Sequence, residues 1–429
     1  MFDFGTIQGL LAMEDDEEDE FLFVRMAFEQ NRKRRHWKWK HTRIDWVDHL
    51  AKEHHTGNFN SRYHMDVGKF NILVSRLRPW ITVDFRKSMN STSGNIPIYP
   101  ELVVATGLRF LGGELWKSLE DMIGMSYSSV KRVVDMFFDA VDVHESFDIR
   151  LPALDDPEDL ELRRVASGFK DKSSSEGLFD GVVGAIDGWL CCTNSPIDRD
   201  ITNKRSYFSG HYKRFGLNVQ AMCDSELRFT YFAVCAPGGT NDARAVRRCT
   251  TLQKWLQDLQ GSGFFIVGDN AYVLSNELLI LFSGTMNETQ RTYNFFLSQL
   301  RIRIELAFGR LVTKWRIFHR DLEFGMERNS KICLIAAKLH NFVINETLQE
   351  EGLREESVTP HPHAVRVGRD DLGFPAHNPT RIDSLLVLDP ENEDDELPEP
   401  GHSTRRENFL YFIQANGLVR PHYNVERNG

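Results

Sequence analysis

The strongest constraint on the fold lies between Asp180 and Ile317, where short apolar runs and amphipathic stretches follow one another in a restrictive order. Residues 182–186 read as a buried strand that ends at Asp187-Gly188. Residues 216–224 and 229–237 are two more strands, joined by the tight connection 225–228. Residues 251–259 read as a helix and 264–268 as a fourth strand, which ends at Asp269. Residues 274–282 and 293–317 show helical spacing. The order strand, strand, strand, helix, strand, helix predicts a mixed sheet with helices on its faces. Strands bridged by a helical crossover are usually neighbours, so Asp187 and Asp269 are expected to converge.

A third acid, Glu305, stands alone among six Arg and Lys between residues 301 and 320. Ile304, Phe308, Leu311, Trp315 and Phe318 form an apolar stripe there, with Arg303, Arg310 and Lys314 as a basic stripe beside it. An isolated carboxylate on a basic helix suits a cation at its site; the plain alternative is an ion pair with Arg301, one turn earlier. Carboxylates without His or Cys suit a hard cation such as Mg²⁺ or Mn²⁺ rather than zinc. Two such ions can activate a water for in-line attack on a phosphodiester.

Other segments point the same way. Residues 203–215 set Lys204, Arg205, Lys213 and Arg214 among Tyr207, Phe208, Tyr212 and Phe215. Bases for phosphates and rings for unstacked nucleobases suit a single strand of nucleic acid; a surface insertion with a small aromatic core is the alternative. Further upstream, Leu115, Leu119, Met122 and Ile123 recur at helical spacing and Gly124 breaks the run. Ser126 is a candidate N-cap, and Val130, Val133, Val134, Phe137, Phe138 and Val141 continue the pattern. This is a helix-turn-helix candidate with Lys131 and Arg132 near the start of its second helix, or else an ordinary helical hairpin.

The formal net charge of −10 conceals an uneven distribution. Residues 1–20 carry −8, residues 346–407 carry −10 with seven prolines, and residues 408–429 carry +1, which leaves +7 for residues 21–345. Acid blocks of this kind usually read as solvated tails. Within the arm, residues 31–43 interleave bases with Trp37 and Trp39, and Arg32 to Arg35 suits a nuclear-import signal or a phosphate-binding arm. The expected organisation is an acidic and basic arm over 1–60, a helical domain over 61–160, an α/β domain over 180–345, an acidic linker over 346–407, and a short helix within 408–429. The six cysteines show no CxxC pair, and Cys191, Cys192, Cys223, Cys235 and Cys333, in apolar elements, read as reduced, buried residues. His340 reads as a packed or hydrogen-bonded helix residue. The chain does not read as secreted, and no apolar run approaches the roughly 18 residues that span a bilayer.

Five motifs in fixed order carry a resemblance. Gly184-Ala-Ile-Asp-Gly188, Pro237-Gly-Gly-Thr-Asn-Asp242, Gly268-Asp-Asn-Ala-Tyr272, the stretch 301–309 and Lys338-Leu-His-Asn341 occur as in PIF/Harbinger-type transposases. The chain resembles that family near its Harbinger-derived nuclease branch, firmly over 180–345 and more loosely from Tyr63. The resemblance implies an RNase H-like DDE catalytic core behind an all-α helix-turn-helix-like domain. It further implies that Asp187, Asp269 and Glu305 are catalytic, with 35 residues between the last two, which fits the family's spacing. Asp242 matches an acid often read as a further metal ligand. Gly239 stands where the family usually has Ser, and Asn241 where His is common; Val273 and Leu281 occupy positions where proline is expected. The implied cofactor is a divalent cation, Mg²⁺ or Mn²⁺, taken as two ions. The implied partners are DNA, as terminal repeats and target site, and a Myb-like accessory protein, in the nucleus; self-association into a homo-oligomer stays open. The competing reading is a domesticated, non-catalytic DNA-binding or adaptor protein.

Overall fold

The computed structural model describes residues 43–83, 97–155, 158–197, 201, 203–350, 352, 366–367 and 401–421. Residues 1–42, with the acidic head, the basic run and Trp37 and Trp39, lie outside the described residues, as does most of the acidic stretch 346–407. The chain divides into two compact units: residues 1–110 with 114–140, and residues 111–113 with 141–429. No helix among the described residues is long and apolar enough to cross a membrane.

The first unit is helical. It holds α1 (Trp46–Thr56), α2 (Phe59–Tyr63), α3 (Val67–Ile81), most of α4 (Pro100–Leu111), α5 (Trp116–Ile123) and most of α6 (Tyr127–Val143). Asp45 caps α1 by accepting from the amides of Val47 and Asp48. Trp46, Phe59, Tyr63 and Phe70 form an aromatic cluster, with Trp46 stacked on Phe70 at 5.3 Å. Helices therefore begin inside the stretch that reads as an arm in sequence, because Asp45 and this cluster give it a cap and a core. The helix-turn-helix candidate is present as α5, a left-handed Gly124, and α6. The α6 stripe from Val130 to Val141 is buried, whereas Tyr127, Ser128, Lys131 and Arg132 are exposed.

The second unit is built on a six-stranded sheet whose main strands are β1 (Val182–Cys192), β2 (Arg214–Cys223), β3 (Phe229–Pro237), β4 (Phe265–Gly268) and β5 (Leu278–Ile280). β1 is central. β2 pairs with it antiparallel from Ala185↔Cys223 to Cys192↔Gly216, and β3 pairs antiparallel with β2. On the other side β4 runs parallel to β1 and β5 parallel to β4. The order β3-β2-β1-β4-β5, three antiparallel strands and then two parallel ones, is the RNase H-like arrangement. Helices α7 (Leu160–Lys170), α8 (Asp242–Arg247), α9 (Thr250–Asp258), α10 (Glu288–Lys314), α11 (Met326–Glu350) and α12 (Thr404–Ala415) complete the unit.

Two elements differ from their sequence reading. Residues 274–282 were expected as a helix, yet 278–280 form β5. Their apolar spacing fits either element, and the open edge of β4 decides for the strand, since a parallel edge so covered becomes buried. β1 does not end at Asp187-Gly188 but runs on to Cys192. Its parallel partner stops at Gly268, while antiparallel β2 continues beside it and keeps supplying hydrogen bonds. Asp187 is thus where the strand emerges from full burial, not where it stops.

Both ends of the acidic stretch are helical: α11 continues to Glu350, and α12 begins at Thr404 behind the Ser403 cap. α12 is anchored by Phe409 against Phe179 at 5.3 Å and Phe265 at 5.7 Å, and by Arg405 and Arg406 over the rings of Phe265 and Phe282. Expected as a helix from residue 408, it starts four residues earlier because Ser403 caps it through the Arg406 amide and donates to Asn276, while the two arginines lie over Phe265 and Phe282. The Lys338-Leu-His-Asn341 motif pins α11 to the sheet. Asn341 donates to the Phe229 carbonyl and accepts from its amide, His340 bonds the Leu227 carbonyl, and buried Lys338 pairs with Asp142 and Asp148. The motif is thus a staple for the β2–β3 hairpin, which fits the packing role expected of His340.

Candidate active site

The parallel register of β1 and β4 places Ala185 opposite Val267, so the same register two residues on sets Asp187 against Asp269. Each carboxylate accepts a nearby backbone amide at 2.8 Å, Asp187 from Gly188 and Asp269 from Ala271. Burial and then the facing Asp269 push the Asp187 carboxyl up to about 7, with Asp242 adding to the rise against Gly188 and Arg301. Burial also raises Asp269, with Asp242 and Glu305 adding to the rise against the Ala271 amide and Arg301. Two half-buried acids in one field resist ionising together unless a positive charge joins them.

Asp242, the first residue of α8, reaches the same cluster from the other side of β1. Its Oδ1 accepts from Asn218 Nδ2 and Gln220 Nε2, both at 2.9 Å. Tyr272, buried just past Asp269, donates its hydroxyl to Gln220 Oε1 at 2.7 Å. Gly188 makes room for this arrangement, since a Cβ there would lie 2.3 Å from Asp242 Oδ1. Asn218, Gln220 and Tyr272 are site residues that the sequence reading did not single out. Their signal was the spacing Asn218-x-Gln220, polar side chains two apart in an otherwise apolar strand, which puts both on one face.

Glu305 enters through Arg301. The guanidinium lies 2.5 Å from Glu305 Oε1 and 3.6 Å from Asp187 Oδ2, so one cation links the helix acid to the strand acid. The expected alternative for Glu305, a one-turn ion pair, is therefore present; its carboxylate stays 46% exposed and close enough to raise Asp269. The donor set is oxygen only and carries like charges with a single arginine between them, which fits a hard divalent cation. Among the described residues no three of His, Cys, Asp and Glu form a ready-made cage. One or two carboxylates completed by water and substrate is the pattern that Mg²⁺ prefers.

The basic residues separate into groups. Arg303, Arg310 and Lys314 lie roughly 140–180° around α10 from Glu305 at about 100° per residue, so this stripe runs along the side of the helix away from the acid. Lys314 sits over the Trp315 ring at 5.8 Å. Lys204 is half-buried, whereas Arg205, Lys213 and Arg214 are exposed; Arg214 pairs with Asp321 at 2.7 Å. Tyr207, expected to meet nucleic acid, is only 2% exposed and packs beneath the loop. The exposed rings are Phe208 and, more fully, Tyr212. Lys131 and Arg132 belong to the helical unit. The six cysteines are free thiols; Cys191, Cys223, Cys235 and Cys333 are buried as expected, Cys192 is only partly buried, and Cys249 is buried too.

Residues 190–341 match the family model of the DDE superfamily endonucleases, a span that includes Asp242, Asp269 and Glu305 and begins just after Asp187. Among curated proteins the chain is similar to "Protein ALP1-like" of Arabidopsis thaliana, 24% identical over 362 residues, which cover 77% of this chain and 85% of that protein. No solved structure matches significantly. The strand order of the sheet, the ordered motifs and this match agree on a domain of the DDE superfamily endonuclease type over residues 190–341.

Proposed function

We propose that the chain is a divalent-metal-dependent DNA endonuclease and transposase, which hydrolyses phosphodiester bonds and transfers the resulting 3′ ends to target DNA. The observation that carries this reading is the apposition of Asp187 and Asp269 on neighbouring strands, with the Asp187 carboxyl pushed up to about 7. Asp187 and Asp269 would hold the cation or cation pair, Mg²⁺ or Mn²⁺, with Glu305 completing the set and Asp242 beside them. When bound, such ions supply an activated water and stabilise the leaving oxygen of an in-line displacement. The chain's own part is positioning. The Gly188 and Ala271 amides orient the two strand acids, and Asn218 and Gln220 fix Asp242. Arg205, Lys213 and Arg214 supply charge for the DNA backbone, and Lys131 and Arg132 a second contact from the helical unit. Action in the nucleus, a Myb-like accessory protein and self-association belong to the same reading.

The test is cleavage and strand joining on terminal-repeat DNA with Mg²⁺. Parent protein is expected to cut and join, and Glu305→Gln to lose both activities; a variant that cuts as well as the parent removes Glu305 from the assignment. A second reading, a DNA-binding adaptor without catalysis, is favoured by one observation: the Arg301 guanidinium already supplies a positive charge between Glu305 and Asp187. Calorimetry with Mn²⁺ separates the two, since the adaptor predicts no binding heat and no effect of Asp187→Ala.

A further inference from the structure

Residues 203–215 form a short turn and a hairpin in which Tyr212 is the most exposed Tyr or Phe ring, ahead of Phe208 at 38%. Phe208 pairs with Phe215 and Ser209 with Arg214, and the Phe208 and Phe215 rings meet edge to face at 5.2 Å. Within the turn Lys213 donates its amide to the Ser209 carbonyl at 2.8 Å, the Tyr212 amide reaches Ser209 Oγ at 3.3 Å, and Lys213 takes a left-handed φ of 57°. Tyr207 anchors the hairpin from below. At the tip Tyr212 is 59% exposed, with the His211 ring perpendicular to it at 4.7 Å. Exposed Lys213 follows it in the chain, and exposed Arg205 lies in the turn that leads into the hairpin.

The hairpin is seated on the loop that delivers Asp242. Gly239 donates its amide to the Ser206 carbonyl at 2.8 Å. A Cβ at residue 239 would lie 2.6 Å from that oxygen and 2.8 Å from the Phe208 carbonyl oxygen, both backbone atoms that cannot swing aside. The serine that the family usually carries here would therefore push the hairpin away. Tyr212 also lies within the field of the acid cluster, because after burial the charges of Asp187, Asp242 and Asp269 push its phenol up.

We infer that Tyr212 is a nucleobase platform: its ring stacks on an unstacked base of the strand whose phosphodiester lies at the acid cluster, and Gly239 is the positioning residue that lets the hairpin hold it there. The inference rests on the nuclease reading for the identity of the strand. A flat, exposed ring with cations in the same segment, beside a cluster of acids, matches what single-stranded nucleic acid requires of a surface. Stacking needs the ring and not the hydroxyl, so the platform makes a separable prediction for Phe and Ala.

The probe is an oligothymidylate strand with one central 2-aminopurine, added to full-length protein carrying Asp269→Asn so that it stays uncut. Binding should quench the 2-aminopurine fluorescence. Tyr212→Phe should retain the quenching; Tyr212→Ala should lose it and bind roughly 5- to 150-fold more weakly. Gly239→Ser should lose quenching and melt a few degrees lower while still unfolding in one cooperative transition. Full quenching in Tyr212→Ala, or no binding of the strand by the parent, overturns the platform. Loss in Tyr212→Phe equal to that in Tyr212→Ala also overturns it, because the hydroxyl would then be the acting group. A separate cleavage assay keeps the two readings apart: quenching with no Mg²⁺-dependent cutting by the wild-type chain would overturn the nuclease and leave the base platform standing.

Discussion

Burial and the facing Asp269 push the Asp187 carboxyl up to about 7, against 3.8 for the free group, so the metal-free native state holds a proton there that the unfolded chain releases. The sign follows directly. This group's contribution to stability is fully present below about pH 4 and is lost as pH rises through about 7. Asp187→Asn should therefore stabilise the metal-free protein at pH 8 by up to about 4 kcal/mol, less what solvent screening removes at a side chain 20% exposed. Melts in EDTA from pH 5 to 8 check this: the parent should lose stability with rising pH more steeply than the variant, and parallel curves would contradict the shift. Gly188 gives a second residue-scale prediction. Gly188→Ala puts a Cβ 2.3 Å from Asp242 Oδ1, so it should cost about 1–3 kcal/mol and displace Asp242, read as lost stability in denaturant together with lost cleavage. The acids themselves were legible in sequence, because ordered motifs mark them. Asn218, Gln220 and the Arg301 bridge were not, because their meaning depends on which neighbours a sheet and a helix bring together.

At the scale of elements, α11 holds the β2–β3 hairpin through Asn341, whose amide group satisfies both backbone groups of Phe229. Asn341→Ala leaves that donor and acceptor without partners and should cost about 1–3 kcal/mol, measurable as a shifted denaturation midpoint with an unchanged slope. A smaller effect would mean that water replaces the clamp. The same helix carries His340, lowered to about 4 chiefly by burial, so its contribution is lost as pH falls from about 6.5 through 4. The strands β1 to β4 and helix α10 could be read from apolar runs and periodicity because each has one dominant pattern. β5 could not: residues 278–280 fit a helical spacing as well as a buried strand, and only the open edge of β4 settles which forms. The emergence of β1 at Asp187 was misread as an end for a similar reason, since a change in burial and a chain reversal give the same polar signal.

For the whole molecule, the net charge of −10 is the sum of a head of −8, a stretch of −10 over 346–407, a tail of +1 over 408–429, and a body of +7 over 21–345. The surface that would meet DNA belongs to the body, and long-range repulsion from the acid blocks opposes it. Deleting residues 1–20 should raise non-specific duplex affinity at fixed salt, measured by fluorescence anisotropy at two ionic strengths; unchanged affinity would leave the head a solubilising segment only. The central claim is that Asp187 and Asp269 form a cation-dependent cutting site, and its most direct test is the single-turnover rate of DNA cleavage in Mg²⁺. Parent and Asp269→Asn should bind the DNA with similar affinity, and the variant should cut about a hundredfold more slowly or less. Equal rates in the two proteins, or a parent that binds DNA and Mg²⁺ yet never cuts, would contradict it.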